Sequence, residues 1–174
     1  MVQNVREKAS KIKLAIFDVD GVHTDGKLFF DEQGREYKGF HARDGHGIKL
    51  LRSTGVEVAV ISGRKSESVT RRMEGLGIER VFQGQENKLE AFERLGHELK
   101  LAPEQIAHVG DDLLDLPIMR RAGLAVAVAD AHFAILPFAD WRTTNPGGAG
   151  AVREVCDLIM AAQGTLDRVI ERHF

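Results

Sequence analysis

One cysteine, one tryptophan, one tyrosine and four prolines are all that the 174 residues hold of those types. A single thiol, Cys156, cannot close an intramolecular disulfide, so a disulfide-stapled scaffold is excluded and a reducing compartment is the simpler setting. Cys156 lies inside the apolar-periodic run AVREVCDLIM, which suits a packing residue better than a catalytic thiol. No apolar run approaches the ~20 residues a membrane span requires. MVQNVREKASKIK lacks the apolar stretch of a signal peptide, so the expected location is the cytoplasm. Neither sign of charge is in excess: 24 Lys and Arg stand against 26 Asp and Glu, a net charge of -2. That balance offers no general basic footprint for nucleic acid and no polybasic membrane patch, so any phosphate binding must be local.

With 43% hydrophobic residues the chain can bury a core as one globular domain over residues 1–174. Apolar runs alternate with helical patterns. KLAIF reads as a strand buried on both faces, and KLFF and REYKGF flank DEQG as a hairpin, an insertion over residues 25–40. Then GIKLLRSTG reads as a helix, VEVAVIS as a strand, SESVTRRMEGLG as a helix ending in glycine, and ERVFQG as a short strand. NKLEAFERLGHELK carries Leu89, Phe92, Leu95 and Leu99 at helical spacing. QIAHVGDD is a strand that stops on acids. LLDLPIMRRAG reads as a helix, LAVAVAD as a strand, AHFAILP as a short helical piece, ADWRTT as a last strand and GAGAVREVCDLIMAAQG as a long helix. The tail, residues 164–174, has no obvious core of its own. This alternation predicts an α/β fold: one doubly wound, Rossmann-like parallel sheet with helices on both faces, the hairpin inserted after the first strand, and no cap domain.

The acids fall where such a sheet binds ligands, beyond the carboxyl ends of its strands. AIFDVDGVHTDG sets Asp18, Asp20 and Asp25 at the end of the first strand, Ser62 follows VEVAVI, and Asp111, Asp112 and Asp115 follow QIAHVG. Carboxylates this close repel, so either they are solvated loop residues or they share a cation and handle a proton or a phosphoryl group. Singly, each element has a plainer reading. Ser62 with Gly63 makes a turn, Lys88 is a solvated lysine, Arg64 and Arg72 coat a surface, and Asp44 in RDGHGI caps a helix. A lysine at a helix start is disfavoured by the helix dipole unless an anion lies nearby, which tips Lys88 towards function.

The ordered set of D-x-D, a strand followed by Ser62, Lys88 at a helix start, and GDD with a later Asp115 resembles the four motifs of the haloacid dehalogenase superfamily of phosphohydrolases. More narrowly, DVDGV..TDG, the hairpin, ISGRKS, NKL, VGDDLLDLPIM, AVADAH and GAVREVCDLI resemble the capless 3-deoxy-D-manno-octulosonate 8-phosphate phosphatases nearly end to end. The resemblance implies an Mg²⁺-dependent hydrolysis of that sugar phosphate in lipopolysaccharide precursor synthesis. Asp18 then takes the nucleophile position, forming an aspartyl phosphate. Asp20, two residues on and on the same side of an extended strand, acts as acid and then base. Ser62 and Lys88 stabilise the transferring group, and Asp18, Asp111 and the backbone carbonyl of Asp20 hold Mg²⁺. Arg64, Arg72 and Gly63 contact substrate, while Asp112 and Asp115 orient Lys88 or the metal waters. The resemblance also implies a homotetramer whose hairpins pack together, and a tail that reaches a neighbouring site. Glycines in NPGGAG, Asn145 to Gly150, fit backbone that moves or approaches another chain. His23 departs from the family pattern, and packing suits it better than ligation of a hard cation.

Two other readings stay open. Receiver domains also phosphorylate an aspartate on a doubly wound sheet, but as switches, and they place adjacent acids first and the lone acceptor later, the reverse of the order here. A phosphatase of another sugar acid phosphate, such as a nonulosonate 9-phosphate, fits the same motifs.

Overall fold

The structure, a computed structural model, describes residues 2–174. The chain runs through α1 (Val2–Ser10), β1 (Leu14–Phe17), β2 (Phe29–Phe30), β3 (Glu36–Tyr37), α2 (Ala42–Arg52), β4 (Glu57–Ile61), α3 (Glu67–Leu76) and β5 (Arg80–Phe82). It continues through α4 (Lys88–Leu99), β6 (Ile106–Gly110), α5 (Leu116–Met119), β7 (Leu124–Ala127), β8 (Trp141–Arg142), α6 (Ala151–Ala162) and α7 (Leu166–Glu171). Among the described residues six strands form one parallel sheet in the order β5-β4-β1-β6-β7-β8, and β2 pairs antiparallel with β3 as a separate hairpin. No helix among them is long and apolar enough to cross a membrane.

Strand alternation sorts the core into two layers. Ala15 and Phe17, Val58 and Val60, and Ala107 and Val109 face one side, where α1, α2, α3, α6 and α7 contribute Ala9, Leu51, Met73, Val155 and Val169. Leu14 and Ile16, Ala59 and Ile61, and Ile106 face the other, where α4 and α5 contribute Phe92, Leu95 and Ile118. Continuous apolar runs are what a strand covered on both faces requires. Each fully buried Val, Leu, Ile, Phe or Met side chain contributes roughly 1.5–3 kcal/mol of transfer free energy, and the alanines less.

Strand β1 lies between β4 and β6, so the strand order reverses beside it. Phe17 pairs in register with Val60 on one side and with Val109 on the other. The residues after these strands, Asp18, Ser62 and Asp111, therefore emerge side by side at the carboxyl edge, as the sequence predicts.

Several local expectations need correction. The N-terminal residues form α1, which the alternation of apolar runs does not announce; Val5 and Ala9 anchor it to the core. LLDLPIMRRAG is a 3₁₀ turn, Leu113–Asp115, followed by only one turn of α-helix, because Asp112 caps the first piece and Pro117 sits in the first turn of the second. AHFAILP is likewise 3₁₀, Phe133–Phe138. The tail is not without a core: α7 buries Val169, and the His173 ring lies 5.6 Å from that of His46 on α2. Asp44 does cap a helix, but a distant one. His41 takes the N-cap place of α2, and the Asp44 carboxylate instead accepts the Arg153 N–H in the first turn of α6 at 2.8 Å.

The NPGGAG glycines meet another segment of the same chain. Gly148 N–H donates to the Val22 carbonyl at 2.9 Å, and a Cβ on Gly147 would fall on the carbonyl groups of Gly21 and Thr24. This loop thus backs directly onto the turn that carries D-x-D. Substituting Gly147→Ala should overpack that contact and lower stability by about 1–3 kcal/mol. Urea unfolding checks this beside Gly39→Ala, where a Cβ meets nothing within 4 Å and no loss is expected.

Candidate active site

Where β1 and β6 deliver acids to one edge, beside Ser62 at the end of β4, the structure places a buried cation between Asp18 and Asp115. Lys88, the first residue of α4, is 2% exposed, and its Nζ lies 2.8 Å from Asp18 Oδ2 and 2.8 Å from Asp115 Oδ1. These anions offset the unfavourable helix dipole at that position. Burial pushes the Lys88 pKa down, but the charges of Asp18 and Asp115 outweigh it and hold the ammonium above its ordinary value.

Asp115 is fully buried and accepts at both oxygens. Oδ1 is shared by Lys88 and His108 Nε2 at 2.9 Å, while Oδ2 accepts the backbone N–H groups of Asp111 at 3.0 Å and Asp112 at 3.3 Å. Burial pushes it upward, yet the His108 hydrogen bond and charge, followed by Lys88, carry its pKa well below the ordinary carboxylate range. Asp115 thereby fixes the backbone from which the Asp111 side chain projects. Asp112 turns away to cap the 3₁₀ turn through Leu113 N–H at 2.7 Å.

On the front of the site, Asp18 Oδ1 accepts the Val19 N–H at 2.7 Å. Gly21, at φ +86°, lets the turn pass over Asp111, where a Cβ would collide with the carboxylate. Ser62 is buried, and its Oγ accepts the Arg64 N–H at 3.3 Å, leaving the hydroxyl proton free to donate. Gly63 lies beside Gln85 and Leu114. Arg64 Nε is 3.7 Å from Asp20 Oδ2. Arg72 stands further along α3, with its guanidinium 5.7 Å from the Phe40 ring and donating to the His41 carbonyl at 3.5 Å. Asp25 is a solvated turn residue paired with Lys27 at 2.8 Å. His23 packs against Phe17 with ring centroids 5.5 Å apart, and burial, with Arg72 nearby, pushes its pKa down to about 3.

The haloacid dehalogenase-like hydrolase family matches residues 80–154. Over 164 residues, 94% of this chain and 87% of the relative, the sequence is 52% identical to the 3-deoxy-D-manno-octulosonate 8-phosphate phosphatase of Escherichia coli strain K12. The chain belongs to this phosphatase family. A crystal structure of the Yersinia pestis phosphatase superposes with a TM-score of 0.93 at 48% identity, covering 94% of this chain and 89% of that one. The Moraxella catarrhalis phosphatase, in complex with magnesium, phosphate and KDO, superposes with a TM-score of 0.98 at 39% identity over 100% of both chains. Family membership removes the ground for reading the acids as a switch.

Three residues of this phosphatase fold are not found from the sequence. His108 had a signal, since an imidazole inside the apolar run IAHVG must find a partner when buried. Lys38 and Glu36, on and after β3, had none: the Lys38 side chain is 1% exposed and ion-pairs with Asp20, and with Glu36 at 2.6 Å. Only the return of the hairpin over the site brings them there.

The acids fit a hard divalent cation. Oxygens of Asp18, Asp111 and Asp115 lie within 4.8 Å of one another, and His23 is not among them. Lys88, His108 and backbone donors already occupy Asp115, which leaves Asp18 and Asp111 facing the open side. Burial, then the charges of Asp18 and Asp115, push Asp111 up to about 8, and burial with Asp115 raises Asp18 too, so Lys88 alone does not balance the charge of this pair. An Asp whose folded pKa is raised destabilises the fold above that pKa and less so as it takes up a proton. The chelator-treated protein should therefore gain Tm as pH falls below about 8 towards the ordinary carboxylate range. Added Mg²⁺ should raise Tm more on the alkaline side, where it meets no competing proton. Asp111→Asn should flatten both trends in thermal melts.

Proposed function

We propose that this chain is an Mg²⁺-dependent phosphomonoesterase that hydrolyses 3-deoxy-D-manno-octulosonate 8-phosphate to 3-deoxy-D-manno-octulosonate and phosphate, supplying lipopolysaccharide precursor synthesis in the cytoplasm. The observation that carries it is the Lys88 ammonium held 2.8 Å from Asp18, beside Asp20 and Asp111, in a chain 52% identical to such a phosphatase. Asp18 attacks phosphorus and forms an aspartyl phosphate as the ester P–O bond breaks. Asp20 gives its proton to the departing sugar oxygen, then takes one from the water that attacks the aspartyl phosphate and frees Asp18. Lys88 and the Ser62 hydroxyl stabilise the negative charge on the phosphoryl oxygens. Mg²⁺, held by Asp18, Asp111 and the backbone carbonyl of Asp20, supplies further positive charge against those oxygens when bound. Arg64, Arg72 and Gly63 serve the sugar acid.

A homotetramer completes this reading. Leu28, Phe29, Phe30 and Tyr37 on the hairpin are all about half exposed, an apolar patch that supports hairpin-to-hairpin packing. With no cap domain among the described residues, neighbouring chains would shield the site from water.

Asp18→Asn should abolish phosphate release from the octulosonate phosphate with an unchanged fold, and Asp20→Asn should slow it by roughly 10²-fold or more. Wild-type rates in the first variant would overturn the nucleophile assignment. A panel including a nonulosonate 9-phosphate tests the substrate, and faster turnover of that compound would replace it. In sedimentation, Phe29→Asp combined with Phe30→Asp should convert a tetramer to smaller species.

A further inference from the structure

We propose that Lys38 is a positioning residue for Asp20, acting with Glu36 to hold that carboxylate in line with the leaving oxygen. The inference rests on the reading that Asp20 moves the proton. Each oxygen of Asp20 faces a different cation: Oδ1 pairs with Lys38, and Oδ2 lies 3.7 Å from Arg64 Nε. Both cations return to one anion, because Glu36 Oε1 lies 2.6 Å from Lys38 Nζ and Glu36 Oε2 accepts from Arg64 Nη2 at 2.8 Å. Two carboxylates and two cations thus close a ring of zero net charge around Asp20.

The ring spans three segments: the turn after β1, the hairpin strand β3 with its exit, and the loop after β4. Glu36 and Lys38 are two residues apart in extended chain, which turns both side chains to the same side. The hairpin is itself fastened, since the Ser68 hydroxyl on α3 donates to the Glu36 carbonyl at 3.2 Å. A lysine side chain only 1% exposed is held there by its anions, and it fixes them in return. Asp20 keeps 21% side-chain exposure, so packing alone does not enclose its carboxylate, and the ion pairs are what orient it. A proton donor displaced from its acceptor loses most of its effect, so the hairpin bears on catalysis without touching phosphorus.

Leaving-group chemistry separates positioning from scaffolding. An alkoxide needs the proton from Asp20 in order to leave, whereas p-nitrophenolate leaves without one. In single-turnover release of the alcohol, Lys38→Met should be slowed by roughly 10–10²-fold on 3-deoxy-D-manno-octulosonate 8-phosphate and by less than about threefold on p-nitrophenyl phosphate. Lys38→Arg should restore most of the loss, and Glu36→Gln should show the same selectivity to a smaller degree. Asp20→Asn is the reference. If it is selective while Lys38→Met slows both substrates equally, or slows neither, the positioning role is overturned. If Asp20→Asn is itself unselective, the reading of Asp20 as the acid fails instead. Should Lys38→Met not fold, judged by its melting curve, the Glu36→Gln and Lys38→Arg pair carries the same test, and equal losses on both substrates in Glu36→Gln overturn the proposal.

Discussion

The Lys88 ammonium, buried between Asp18 and Asp115, is the interaction on which the site depends. Three carboxylates gathered at one sheet edge repel, and an unpaired buried charge costs several kcal/mol. One ammonium within 2.8 Å of two of them offsets part of that, and it does so from the start of α4, where the dipole alone would reject it. The pair is bound from behind as well. Asp115 transmits the constraint through His108 on β6 and through the backbone N–H groups of Asp111 and Asp112, so strand, turn and helix are locked to a single carboxylate.

A second charge network lies in front of the first and is built differently. The ring of Asp20, Lys38, Glu36 and Arg64 joins the hairpin to the turn after β1, and Arg64 is 45% exposed at its side chain. The rear network is buried, whereas the front one borders solvent through Arg64 and Asp20. The two meet at D-x-D, with Asp18 belonging to the rear and Asp20 to the front. Behind that turn, the NPGGAG loop packs against the backbone of Gly21 and Thr24 without a side chain between them, which leaves the turn little freedom.

The β-α alternation, the sheet class and the convergence of Asp18, Ser62, Lys88 and Asp111 were legible in the sequence. Buried parallel strands leave continuous apolar runs, and charge begins where each strand ends. Element ends were less legible: LLDLPIMRRAG keeps a helical apolar spacing, yet Asp112 and Pro117 divide it into a 3₁₀ turn and a single α-turn. Asp44 shows the same limit, since its residue type announced a cap but could not say which helix.

By itself, then, the sequence determined the features that local pattern sets: strand and helix periods, the acids at strand ends, and the order of motifs that marks the phosphatase family. Tertiary structure alone decided which groups meet across long separations. The approach of Lys38 to Asp20, of His108 to Asp115, of Asp44 to Arg153 and of Gly147 to Gly21 depends on how the hairpin and loops return over the sheet edge. The physical reason is that periodicity reports the face a residue occupies, whereas a partner is chosen by the path of the chain and by the need of each buried polar group to be satisfied.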